Sequence, residues 1–224
     1  AKDLDITLFA TPFDFESVDF LTDLNMPVYK IASGDITNIP LIEYVANLGK
    51  PLLVSTGGAT LDDVKRAYDT IMPINPNLCI LQCTSSYPAE PEDMNLNVIK
   101  TYLDNFKDII IGLSDHQNGI AMALVGYVLG ARVIEKHIAL EGQNDGLDIE
   151  FSIKGKEIKK FKEDMLKAWT LMGKKEFFRT GNELKNVKFQ RSIYVTKKIK
   201  KGEVFSSENI KRIRRTFEVY DRVR

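Results

Sequence analysis

Short apolar runs rich in β-branched residues recur along the first part of the chain: Ile6–Ala10, Val28–Ala32, Leu52–Val54, Leu78–Gln82, Ile109–Leu113 and Arg132–His137. Their starts lie 22 to 31 residues apart. Helical signals fill several of the gaps. Asp14 is an N-cap for a helix over Glu16–Leu24, a helix over Pro40–Leu48 stops at Gly49, and Thr60 opens a helix over Leu61–Thr70 with acids in its first turn. A small, apolar helix over Gly119–Leu129 ends at Gly130. Strands alternating with helices predict a parallel sheet. Six such units suit a doubly wound open sheet, whereas a (β/α)8 barrel needs eight. The strand ends favour the barrel. They carry Thr11, Lys30 with Ser33, Ser55 with Thr56, Thr84 with Ser85, Ser114 with His116, and Glu135 with His137. A barrel gathers all these ends at one mouth. No strand opens into a G-x-G-x-x-G turn, which removes the main support for a dinucleotide fold.

Residues 151–182 look helical, and after them the pattern changes. Lys156–Met172 is an amphipathic helix with Ile158, Phe161, Met165, Leu166 and Trp169 among lysines. Ser192–Thr196 reads as a strand, Lys200–Glu203 as a turn, and Ser206, Ser207 and Glu208 as the start of a short helix. The expected organisation is a barrel domain over 1–179, a linker over 180–190 and a small β-rich module over 191–224.

At 224 residues the chain is long enough to bury a real core. Hydrophobic residues at 44 % and charged residues at 28 % exclude a disordered chain. No apolar run reaches the ~20 residues of a membrane span. The start, AKDLDITLFATPFD, has neither the features of a signal peptide nor an initiator Met, as expected of a fragment or a processed chain. Two cysteines, Cys79 and Cys83, give no disulfide framework and point to a reducing cytoplasm. The net charge of zero hides an asymmetry. Residues 1–150 hold 9 Lys and Arg against 22 Asp and Glu, and residues 151–224 hold 22 against 9. The basic part suits an anionic partner or, more plainly, a solvated lysine-rich helix.

Only two histidines occur, His116 and His137, each at the end of a predicted strand. In a barrel they become neighbours at the mouth, within reach of one divalent ion, with Asp148 as a candidate third ligand or base. Two hydrogen-bonded histidines without a metal are the plain alternative. Lys30 interrupts the apolar run around it, and by strand alternation faces away from Tyr29 and Ile31. A buried ammonium needs an anion, either a bound phosphate or a nearby acid. Gly57-Gly58 reads as a tight turn or as a place where backbone approaches a ligand. Cys83 reads as a small buried hydrophobe.

The segments FATPFD (9–14), KIASGD (30–35), PLLVSTGGAT (51–60), LQCTSSYP (81–88), IGLSDH (111–116) and VIEKHI (133–138) together resemble the barrel of the sialic acid synthase family. RSIYVTKKIKKGEVFSSENI (191–210) resembles that family's antifreeze-like (SAF) domain. The resemblance implies a transferase that condenses phosphoenolpyruvate (PEP) with an N-acetylated amino sugar, giving a nine-carbon ulosonic acid and phosphate. It implies a divalent metal, Mn2+ or else Mg2+ or Co2+, on His116 and His137. It implies a PEP site lined by Lys30, Thr11, Ser33, Ser55 and Ser114, and a sugar side lined by Ser85, Tyr87 and Asp148. Asp35 is expected near the reacting centre, with Phe189 closing the site and Arg214 reaching a partner's barrel in a domain-swapped homodimer.

Two departures from the family pattern stand out. The family's first two strands, with an E-I-G-x-N-H and a K-F-Q motif, have no counterpart, so the implied fold is a TIM barrel lacking its first two βα units, followed by part of a SAF domain. The family's R-P-G also reads Arg214-Arg215-Thr216 here. The sequence Gly146-Leu147-Asp148-Ile149, followed by Phe151-Ser152, is closer to pseudaminic than to sialic or legionaminic acid synthases. A catalytically incomplete chain acting as a binding protein is the alternative. A nucleic-acid binder ranks last, because Tyr194, Phe205, Phe217 and Tyr220 are too scattered to form a stacking surface.

Overall fold

The computed structural model describes residues 1–214; Arg215, Thr216, Phe217 and Tyr220, weighed above, lie outside the described residues. The chain divides into two compact units, Ala1–Met172 and a second beginning at Gly173. In the first unit the order is α1 (Phe15–Asp23), β1 (Tyr29–Ile31), α2 (Ile39–Ala46), β2 (Leu52–Ser55), α3 (Leu61–Ile71), β3 (Leu78–Cys83), α4 (Val98–Asn105), β4 (Ile110–Asp115), α5 (Ala121–Leu129), β5 (Val133–Lys136), β6 (Ile138–Ala139), β7 (Ile153–Lys154) and α6 (Lys156–Met172). Strands β1 to β5 form one parallel sheet in sequence order, and β6 pairs with β7. This curled parallel sheet, with a helix after each of β1 to β4, is the architecture of a partial TIM barrel.

Strand alternation separates two faces. Tyr29, Ile31, Leu52, Val54, Leu78, Ile80, Ile111 and Leu113 pack into the core with Val18, Leu41, Ile42, Val64 and Ile99 of the helices. Each such side chain, fully buried, contributes about 1.5–3 kcal/mol. The opposite parity (Lys30, Ser55, Leu81, Cys83, Ser114 and Glu135) lines the concave face. The helices start where capping chemistry allows. The Asp14 carboxylate accepts from the Ser17 N–H at 2.7 Å, and Thr60 and Asp63 form a reciprocal capping box for α3.

Four elements differ from expectation. The run Ile6–Ala10 is not a strand: it makes a single bridge, Ala10 to Tyr29, and leaves Ile6 61 % and Leu8 62 % exposed. One rung on one side does not supply the ladder that holds a strand. Helix α4 lies in a gap where no helix was expected. Ser206–Glu208 is a turn rather than a helix, closed by the Ser206 N–H on Asn209 Oδ1 at 2.9 Å and by Asn209 Nδ2 on the Val204 carbonyl at 3.0 Å. The segment expected as a linker contains α7 (Gly181–Asn186), capped by Thr180 and Glu183, and a 3-10 turn over Val187–Phe189. Among the described residues the second unit contains an antiparallel pair, β8 (Arg191–Val195) with β9 (Ile210–Arg214). No described helix is long and apolar enough to cross a membrane.

Candidate active site at the strand ends

The register of β4 against β5 sets the centre of the site. Ser114 lies opposite Glu135 and Asp115 opposite Lys136, so the next rung places His116 beside His137. Their ring centroids are 5.2 Å apart. His116 is buried, and its Nδ1 lies 3.4 Å from the Thr84 carbonyl, which can only accept; a proton on Nδ1 would bond that carbonyl and leave the lone pair on Nε2. The Ser114 hydroxyl near Nε2 donates to Glu135 Oε1 at 2.6 Å, which leaves that lone pair open. Burial, then the neighbouring His137, lowers the His116 pKa below the usual imidazole value. His137 Nδ1 lies 3.6 Å from Asp148 Oδ2. Tyr87 packs 4.5 Å from the His116 ring, and Phe151 packs 5.0 Å from the His137 ring.

Beside the histidines lies a cleft of about 340 Å³ lined by Phe9, Ala10, Thr11, Lys30, Glu135, Lys136 and His137. Lys30 Nζ is 3.3 Å from Glu135 Oε1, the same oxygen that Ser114 holds. The acid partner of the buried ammonium is therefore Glu135. Around the turn after β2, the Gly57 N–H donates to Ser33 Oγ at 2.9 Å. A Cβ at Gly57 would stand 2.0 Å from Ser85 Oγ, so the absent side chain lets Ser33 and Ser85 converge on bare backbone. Ser55 is buried there, and its hydroxyl has no partner.

His116, His137, Tyr87 and Asp148 thus form one cluster, which Ser114 and Glu135 join to Lys30 and Thr11, while Ser33 and Ser85 meet at Gly57. Asp35 ends the short turn Ser33–Asp35 after β1 and is not among the cleft-lining residues. Phe189 and Arg214 belong to the second unit, where Arg214 ends β9 opposite Arg191. Among the described residues no group of three or more His, Cys, Asp or Glu is placed to hold an ion, and Asp148 meets His137 at its Nδ1. Sequence reading placed Thr84 and Glu135 at strand ends and Phe151 in the loop after the last strand, but gave none of them a role in the site. Glu135 was within reach, since it stands two residues before His137 and so shares its face. Both cysteines are free and buried, and burial pushes the Cys79 thiol up to about 12.

A family model described as the NeuB family matches residues 1–177. The chain belongs to the NeuB family. Among curated relatives of this NeuB-family chain, the human N-acetylneuraminate-9-phosphate synthase is 42 % identical over 158 residues, covering 70 % of this chain and 44 % of that protein. A pseudaminic acid synthase of Campylobacter jejuni is 37 % identical over 98 % of this chain and 64 % of its own length. The chain therefore spans roughly half to two thirds of the relatives it matches. The names of these relatives are those of enzymes and give no support to a binding role alone. A crystal structure of the N-acetylneuraminic acid synthetase from Leptospira borgpetersenii, in complex with citrate, superposes with a TM-score of 0.75 at 30 % identity, covering 84 % of this chain and 66 % of that one.

Proposed function

We propose that the strand-end cleft condenses PEP with an N-acetylated amino sugar, giving a nine-carbon ulosonic acid and inorganic phosphate. The observation that carries this reading is the meeting of an open-faced imidazole pair with a lysine–hydroxyl cleft at the carboxyl ends of parallel strands. The names of the relatives agree with it.

The donor set fits a divalent cation. With metal–nitrogen bonds of about 2.1 Å, two imidazoles on one ion have centroids roughly 4.5–5.5 Å apart, and the observed separation is 5.2 Å. His116 and His137 would hold Mn2+, or else Mg2+ or Co2+. The ion, when bound, supplies Lewis-acid polarisation of the sugar aldehyde.

In this reading Lys30, Thr11, Ser33, Ser55 and Ser114 hold the phosphate and carboxylate of PEP. Carbon 3 of PEP attacks the aldehyde carbon, water adds at carbon 2, and the tetrahedral intermediate collapses by C–O cleavage to release phosphate. Positioning of the two substrates lowers much of the barrel's barrier to reaction. Glu135 keeps Lys30 and the Ser114 hydroxyl in place through its Oε1. Two carboxylates are candidates for proton transfer, Asp35 and Glu135. Ser85, Tyr87 and Asp148 face the sugar, and Phe151 supplies an apolar wall that favours a pseudaminic-type acceptor. The β8–β9 pair is assigned to an antifreeze-like module whose Arg214 reaches a partner's barrel in a domain-swapped homodimer, and Phe189, in the segment before that module, helps to close the site.

The test uses the full-length protein with Mn2+, PEP and a panel of amino sugars, read by phosphate release and by mass spectrometry of the product. His116→Ala and His137→Ala are each expected to abolish metal-dependent turnover. Wild-type rates in both variants would overturn the assignment.

A further inference from the structure

Directly behind the two histidines, on the helix side of the sheet, lies an ion pair that the proposed chemistry does not use. Asp115 Oδ1 and Lys136 Nζ are 3.1 Å apart, with side chains 0 % and 4 % exposed. Register makes them direct cross-strand partners, and the following residues are His116 and His137. Strand alternation turns the ion pair to one side and the imidazoles to the other. Lys136 Nζ also donates to the Gln117 carbonyl, and the Gln117 N–H donates to Asp115 Oδ1 at 2.9 Å. The residues on both sides of His116 are thereby tied to a single side chain of β5, Asp115 through its carboxylate and Gln117 through its carbonyl. Gln117 Nε2 extends the network to the Ala89 carbonyl at 2.8 Å, in the loop that carries Tyr87.

We infer that Asp115, Lys136 and Gln117 are positioning residues that fix the separation of the His116 and His137 imidazoles, and through it the affinity of the site for a divalent cation. This rests on the metal reading given above. A closed ring of bonds runs from Asp115 through Lys136 to Gln117 and back along the chain past His116, so that residue cannot shift relative to β5 without breaking one of them. Groups that hydrogen-bond a ligating histidine change metal affinity about 10- to 100-fold; this network acts on the rings through the backbone, and the lower end of that range is expected.

The test compares wild-type full-length protein with Lys136→Met, the double variant Asp115→Asn/Lys136→Met, and a control, Val64→Ala, which removes buried volume from α3. Mn2+ affinity is read by EPR titration, stability by thermal unfolding in EDTA, and ring proximity by the NOE between His116 and His137 ring protons in metal-free protein. Lys136→Met is expected to lose stability, at least about tenfold in Mn2+ affinity, and the ring NOE. The double variant removes both buried charges, so it regains stability but not affinity or the NOE. Val64→Ala loses stability alone. Wild-type affinity and an intact NOE in the double variant, or an equal loss of affinity in Val64→Ala, overturn the inference. If wild-type protein binds no Mn2+ while the NOE still disappears in the double variant, the metal reading fails and the positioning role stands.

Discussion

At the scale of single residues, the site depends on where protons and methyl groups are absent. Because burial depresses the His116 pKa, the unfolded chain takes up a proton before the fold does as pH falls below the ordinary imidazole value of 6.5. The stability contribution is complete above that value and is lost as pH drops toward the folded-state pKa. NMR titration of metal-free protein is expected to show a His116 midpoint below 6.5; a midpoint above it would mean that the ring is not desolvated. Gly57→Ala places a methyl against Ser85 and forces that hydroxyl aside. Its KM for the sugar is expected to rise roughly fivefold, about 1 kcal/mol, with little change in kcat. Steady-state kinetics decide this. Asp35→Asn and Glu135→Gln separate the two carboxylates: the one that moves the proton loses kcat, and the other raises the KM for PEP. The histidines and Lys30 were legible because polar residues at the ends of apolar strands stand out. The Lys30–Glu135 pair was not, since it joins side chains four strands apart along the sheet, and only the curl of the sheet brings them together.

At the scale of elements, what could be read was what carried its own signal. α3 announces itself through Thr60 and two acids, and the structure adds a reciprocal capping box between Thr60 and Asp63. Thr60→Ala is expected to cost about 1 kcal/mol in urea unfolding without altering Mn2+ affinity. α4 carries no such mark: Asn97 precedes it without a side-chain capping bond, and the nearby prolines disguise it as loop. Tertiary packing of Ile99 and Tyr102 selects that helix, not its start signal. Ile6–Ala10 shows the reverse case. It has the composition of a strand, but pairing rather than propensity decides, and only Ala10 finds a partner.

For the molecule as a whole, the first packing unit ends with α6 at Met172. Residues 173–180 are exposed and include Lys174, Lys175 and Arg179, so limited trypsin digestion is expected to cut there first; initial cleavage within 29–136 would contradict the division. The rung-by-rung match of β4 with β5 also decides how this protein can change in length. One residue inserted between Gly112 and Ser114 would exchange the strand's two sides, driving an imidazole into the oil under α5 and swinging a carboxylate into the cleft. Two inserted residues would restore the facing but carry the ring one pleat onward, roughly 6.6 Å. Lineages and mutant libraries are therefore free to lengthen the polar loop over 140–148, while this strand end admits substitutions only.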